Sequence, residues 1–174
     1  MPKRVLVCHD GSALATEGLM GYLRAQGKAL ELTIFHVMEP FPPMLLEHEG
    51  SEDPHKEELL EAHMEERRRQ WALAQLEKAN REFQPLLETV KKAGGQGVGP
   101  NLKIVPSYLP EDLVPLLKLE AGSGAYDEVF IVTHAESWLK SLLNRTTADR
   151  VRRELPDLTV RIVSCSEKTG QCEL

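Results

Sequence analysis

The stretch KRVLVCHDGS, residues 3 to 12, decides the fold because it has the pattern of a buried strand that runs directly into a turn and a helix. Its centre, VLVC, is an unbroken apolar run, typical of a central parallel strand covered on both faces. Gly11 permits a sharp turn, and Ser12 is the predicted N-cap of a helix over residues 13 to 26. Ligands of open α/β sheets bind beyond the carboxyl ends of strands, so Asp10 is the first candidate site residue.

Strand and helix patterns alternate along the rest of the chain, which predicts a parallel sheet joined by helical crossovers. Further strands are predicted at LELTIFHV (30 to 37), LKIV (102 to 105), DEVFIV (127 to 132) and LTVRIV (158 to 163). A helix is predicted in PEDLVPLLKLEAG, and another begins at Thr146, which forms a possible capping box with Asp149. We expect one domain over residues 1 to 164 and a disordered tail over residues 165 to 174.

The composition of residues 44 to 93 changes midway along the segment. Residues 44 to 70 are rich in Glu, Arg and His, whereas the next segment carries an apolar stripe at helical spacing, formed by Ala72, Leu76, Ala79, Phe83, Leu86 and Val90. The stripe predicts a second half that packs on the core. The charged segment is predicted to project, to be mobile or to meet a protein partner, and Pro85 is expected to kink or restart the helix.

Composition narrows the classes of function. The chain has 174 residues, 41% hydrophobic and 28% charged, and its net charge of −6 argues against nucleic acid or an anionic membrane as a partner. Three cysteines without C-x-x-C spacing suggest neither a disulfide framework nor a thiolate metal site. No signal sequence or membrane span is predicted, so a cytoplasmic location is expected.

Several titratable residues fall near the predicted strand ends. His9, His36 and His134 could converge with Cys8 and Asp10 on a metal or acid–base site, or they could be ordinary hydrogen-bonded histidines. No nucleophile elbow is present, and GGQGVGP fits no phosphate-loop spacing, so we interpret it as a linker.

The order of these motifs resembles the universal stress proteins. The resemblance covers residues 3 to 163 and rests on VLVCHDGS, IFHVMEP, SYLPEDLVPLL and DEVFIVTHAESWLKSLLNRTTADRV. It implies an α/β fold with a doubly wound, five-stranded parallel sheet of order 3-2-1-4-5, a Rossmann-like nucleotide-binding and α-hydrolase-like architecture, and a homodimer. In members that bind ATP, the residues at the positions of Asp10 and of the Val37 and Met38 backbone hold the adenine.

The phosphate-binding motif of those members is altered in this chain. The three glycine positions fall on Val132, Ala135 and Arg145, and the final hydroxyl remains as Thr146. Side chains therefore occupy the space where backbone amides would approach phosphates. The predicted helix start could still attract an anion through its free amides and Arg145. The candidate binding residues are Asp10, Val37, Thr133, Arg145, Thr146 and Thr147.

Three functions remain open from the sequence. The first is a non-enzymatic, dimeric stress-response protein of the universal stress type, with a degenerate nucleotide-binding cleft, acting through a partner or a small ligand. The second is an ATP-binding switch with a rearranged phosphate loop, and the third is a nucleotide-handling α/β enzyme. No catalytic residue, metal or resident cofactor is predicted. The last strand is the expected dimer contact, to be tested by a charge at Val160 or Ile162.

Overall fold

The computed structural model describes residues 1–26, 30–47, 50–93, 100–106, 113–122, 125–134, 145–166 and 171–173, with the backbone alone for 134, 145–148 and 171–173. The strands are β1 (Lys3–His9), β2 (Leu30–Val37), β3 (Asn101–Val105), β4 (Glu128–His134), β5 (Thr159–Ser166) and β6 (Gln171–Glu173). The helices are α1 (Ala13–Gln26), α2 (Pro54–Ala93), α3 (Leu113–Ala121) and α4 (Arg145–Glu154), with a short 3-10 turn at Pro43–Leu45.

The sheet has the order β3-β2-β1-β4-β5-β6. Its first five strands are parallel and confirm the predicted α/β architecture with the order 3-2-1-4-5. β1 lies at the centre, between β2 and β4, and its apolar residues are almost completely buried. Because side chains alternate along a strand, Val5 and Val7 enter one core layer while Leu6 and Cys8 enter the other.

Helices cover both faces of the sheet. The layer with Val5 also contains Leu19 of α1 and Phe83 of α2. The opposite layer contains Leu117 of α3 and Val151 of α4. The carboxyl ends of all five parallel strands lie at one edge of the sheet, where Asp10 follows β1 and Met38 follows β2.

The longest element is α2, a single helix of 40 residues, which spans about 60 Å at 1.5 Å per residue. It continues through Pro85, so of the two predicted effects the restart is wrong, and the kink stays a prediction. Its buried residues are Met64, Ala79, Phe83, Leu86 and Val90. Four of the five lie after residue 78, which confirms that packing belongs mainly to the second half, but of the predicted stripe Leu76 is exposed and Ala72 only partly buried. Within the described ranges, no helix combines the length and hydropathy needed to cross a bilayer.

The end of the chain departs from the prediction. β5 extends to Ser166, and residues 171 to 173, expected in a disordered tail, form β6 and pair antiparallel with β5. Cys165 is disulfide-bonded, so the expectation of no disulfide does not hold. Cys172 lies directly opposite Cys165 in the strand register. Cysteine counting missed this feature because an odd total hides a pair beside the buried, free Cys8.

Candidate functional site

Gly11 and Ser12 shape the turn after β1 as the sequence predicts. Gly11 has a φ of +87°, in the left-handed region where a side chain costs about 1–2 kcal/mol. Ser12 caps α1, because its hydroxyl oxygen accepts a hydrogen bond from the Ala15 N–H at 3.1 Å. This short turn leaves Asp10 at the carboxyl edge of the sheet, where a ligand of an α/β protein would bind.

Both carboxylate oxygens of Asp10 accept hydrogen bonds from the protein itself. The Ser12 N–H donates to Oδ1 at 2.9 Å, and the Thr133 hydroxyl donates to Oδ2 at 2.6 Å. Thr133 is fully buried in β4, so the second hydrogen bond ties the end of β4 to the loop after β1. The structure thus brings together two predicted binding residues, and they bind each other.

The backbone after β2 also has a protein partner. Val37, another predicted binding residue, is buried, and its side chain packs in the core layer with Leu6. The N–H of Met38 donates to the carbonyl of Val105 at 2.9 Å, which continues the pairing of β2 with β3. A ligand that used the Met38 N–H would have to replace this hydrogen bond.

Two of the three predicted histidines meet beside Asp10. The Gly11 N–H donates to His9 Nδ1 at 2.9 Å, so Nδ1 is an acceptor and the neutral ring carries its proton on Nε2. His36 Nδ1 donates to the carbonyl of His9 at 2.9 Å, because a carbonyl can only accept. The side chain of the third histidine, His134, lies outside the described residues.

Phe83 of α2 covers this cluster. Its ring centroid lies 5.6 Å from that of His9 in an edge-to-face arrangement and 4.8 Å from that of His36. A Cβ added to Gly11 would lie 3.5 Å from the Phe83 ring, so the ring is in contact with the turn. Sequence analysis placed Phe83 in a core stripe and missed its position over the strand ends.

Burial makes these groups poor acids and bases at neutral pH. It lowers the pKa of His9 to about 4, an effect that the nearby Asp10 opposes. Burial likewise lowers the pKa of His36 and raises the pKa of the Cys8 thiol to about 12. Both histidines are therefore neutral near pH 7, and Cys8 is a protonated thiol rather than a nucleophile.

The remaining predicted residues stand at the start of α4. Arg145, Thr146 and Thr147 form its first turn, and their side chains lie outside the described residues. The helix begins one residue before the predicted cap at Thr146. Among the residues that the structure describes, no group of three or more His, Cys, Asp or Glu side chains is placed to hold a metal ion.

A second polar cluster, which the sequence analysis missed, lies at the amino edge of the sheet. Glu128, completely buried at the start of β4, pairs with Lys3 and with Arg161 Nε at 3.1 Å, and accepts a hydrogen bond from the Tyr22 hydroxyl at 3.1 Å. These partners satisfy a buried carboxylate, and the cluster lies far from the loops where ligands of this fold bind. We therefore assign it a structural role.

The order of the parallel strands and the helices on both faces define an α/β protein of Rossmann-like fold. No family model and no curated protein matches the sequence. Among solved structures, the chain is similar to the hypothetical protein MJ0577, whose structure is described as a structural-genomics test case for structure-based assignment of biochemical function. The match covers 94% of this chain and 96% of the other, with 17% identity and a TM-score of 0.51. This likeness shows the fold.

Proposed function

We propose that this chain is a non-enzymatic stress-response protein of the universal stress type. Its nucleotide cleft is closed by the protein's own side chains, and it acts through contacts with a partner or a small ligand. The motif order in the sequence and the shared fold with MJ0577 support the class. The hydrogen bonds at the carboxyl edge of the sheet support the closed cleft.

One observation carries the proposal: the groups that the resemblance assigns to adenine already have protein partners. Both oxygens of Asp10 accept from Ser12 and Thr133, and the Met38 N–H donates to β3. The Met38 N–H has one hydrogen, so ATP could use it only by replacing the bond to β3, and Asp10 could accept from adenine only through the second lone pair of an oxygen that is already bonded. Phe83 in addition covers the turn at Gly11.

The chemistry of the described residues supports a non-enzymatic role. A general base for catalysis near pH 7 needs a pKa close to that value, whereas the pKa of His9 is about 4. A cysteine nucleophile needs a lowered pKa, whereas burial raises the pKa of Cys8 to about 12. Both groups are also buried and closed to a substrate.

The test is calorimetric titration of nucleotide-stripped protein with ATP and magnesium, repeated on Asp10→Ala. We expect the wild type to bind more weakly than about 1 mM, and the variant to behave in the same way. Adenosine and inorganic phosphate, titrated separately, distinguish binding of the base from binding of the anion. Micromolar ATP affinity that disappears in Asp10→Ala would contradict the closed cleft.

That contrary outcome would favour the second candidate, an ATP-binding switch. Its support is topological: a helix that links two parallel strands starts on the side where the first strand ends, so we expect the first turn of α4, from Arg145, on the edge that also holds Asp10. Free amides at a helix start attract phosphate. In that case Arg145→Glu should lower the affinity for inorganic phosphate as well as for ATP.

We also propose that the protein works as a homodimer. The resemblance supports this assembly, and the exposed apolar side chains of the charged segment support a protein contact there. They include Met44, Leu46, Leu59 and Leu60. Exposed apolar residues grouped in one segment are typical of an interaction surface.

A further inference from the structure

We propose that the first half of α2, residues 54 to 73, binds the same half of a second copy of this chain, in antiparallel orientation. The proposal rests on the homodimer of the proposed function and assigns its surface. The surface, named here the α2 groove, has a volume of about 790 Å³. Its apolar side includes Phe41, Met64, Ala72 and Leu73, and its charged rim includes Glu65 and Arg69.

The domain fixes one side of this helix half and leaves the other side open. Trp71 packs against Phe41 with ring centroids 4.9 Å apart, and Arg68 Nε donates to the Leu45 carbonyl at 2.6 Å. Leu73, which lines the groove, remains 52% exposed. The helix half is thus held in place while apolar side chains still face solvent.

The charges on the rim of the groove can pair with the same charges of an identical chain, so we infer that the occupant is a second copy. Glu65 and Arg69 are one helical turn apart, about 6 Å along the axis, and both are exposed. Neither forms an ion pair within the described part of the chain. A two-fold axis that crosses the helix near Arg67 places Glu65 of each copy opposite Arg69 of the other.

The β5 edge, which the sequence favours as the dimer contact, is a less suitable contact surface than the α2 groove. β6 pairs with Ser164, Cys165 and Ser166 and so occupies one end of that edge. Val160 and Ile162 are partly buried and pack against the core layer with Leu6. A charge at either position would therefore also destabilise the core, so its effect on a dimer would not be specific to the contact.

The size of the α2 groove sets the expected strength of the dimer. Residues 54 to 73 span about 30 Å, so two such segments bury less than a standard interface of about 1,600 Å². We therefore expect association in the micromolar range, visible as a dependence of the sedimentation coefficient on concentration.

The experiment is sedimentation velocity across the micromolar range on the wild type and three variants. Glu65→Arg and Arg69→Glu each place like charges opposite each other, and we expect the dissociation constant to rise at least about tenfold. The double variant Glu65→Arg with Arg69→Glu restores opposite charges across the two-fold axis and should recover the wild-type value. Both residues are exposed, so circular dichroism should show unchanged helix content.

Net charge provides an internal control. It moves from −6 to −4 in Glu65→Arg and from −6 to −8 in Arg69→Glu, so a loss of association in both excludes general repulsion as the cause. A dimer that neither single variant weakens, or that the double variant fails to restore, overturns the α2 surface and leaves the proposed homodimer in place. A chain that remains monomeric overturns both, whereas the ATP titration tests the closed cleft independently.

Discussion

The two halves of α2 belong to one continuous helix but have different surroundings. In the second half, Phe83 is 1% exposed and packs over the strand ends. In the first half, Leu59 is 59% exposed. The reason is geometric, because a helix of about 60 Å exceeds the length of β2, whose eight residues span about 26 Å.

The two halves of α2 therefore have different roles. The half that overlies the sheet has apolar residues at helical spacing and covers the turn at Gly11, as expected for a helix face in contact with a core. The half that extends beyond the sheet keeps its charges and a few apolar side chains in solvent. Variants in the two halves should therefore differ both in size of effect and in the property that changes.

The largest effect is expected from Phe83→Ala. Removing a buried aromatic ring costs about 3–5 kcal/mol of unfolding free energy, because the ring contacts His9, His36 and the turn at Gly11. Urea denaturation followed by circular dichroism measures the loss. Leu59→Ala, the matched change in the first half, should alter stability by less than about 0.5 kcal/mol. Equal losses in both variants would mean that the two halves do not differ in packing.

An opposite, smaller effect is expected from Pro85→Ala. A proline inside a helix is about 3 kcal/mol less favourable than alanine, and the exposed Pro85 is tolerated here because its neighbours Phe83 and Leu86 pack on the sheet. The variant should raise the free energy of unfolding by about 1–3 kcal/mol in the same denaturation experiment. Gln84→Ala, an exposed neighbour, is the control. No gain in Pro85→Ala would show that the local backbone already compensates for the missing hydrogen bond.

Sequence patterns predicted the regular elements well. The limits of β2 agree with the predicted residues 30 to 37, since a β-branched and aromatic run followed by prolines leaves little freedom. The central strand β1 was predicted equally well, because its four consecutive apolar residues need cover on both faces of the sheet. The three-residue β6 was missed, because so short a strand has no measurable periodicity and depends on its pairing with β5.

The state of the site was harder to predict than its location. Asp10 was found from its place after β1, but its hydrogen bond to Thr133 joins residues 123 positions apart. The contact of Phe83 with His9 likewise depends on where a long helix crosses the sheet. Periodicity shows which face of α2 is buried, and it does not show what that face covers.

The last expected effect, smaller between pH 7 and 5 than that of Phe83→Ala, concerns the pH dependence that the second half of α2 imposes on His9. The pKa of His9 is about 4 in the folded protein because of burial, against an ordinary value near 6.5. The unfolded chain therefore binds the proton first, and folding loses stability as the pH falls below about 6.5, at about 1.4 kcal/mol per pH unit until about pH 4. His36 changes stability in the same direction, since burial lowers its pKa too.

Denaturation curves of the wild type between pH 7 and 5 should show this slope. In His9→Asn the amide oxygen can accept from the Gly11 N–H, as Nδ1 does, so the fold is kept while the slope becomes shallower. His63→Gln, at an exposed position in the first half, should leave the slope as in the wild type. A slope that is equal in His9→Asn and the wild type would mean that Phe83 does not keep water from His9, and the two halves of α2 would then differ in packing alone.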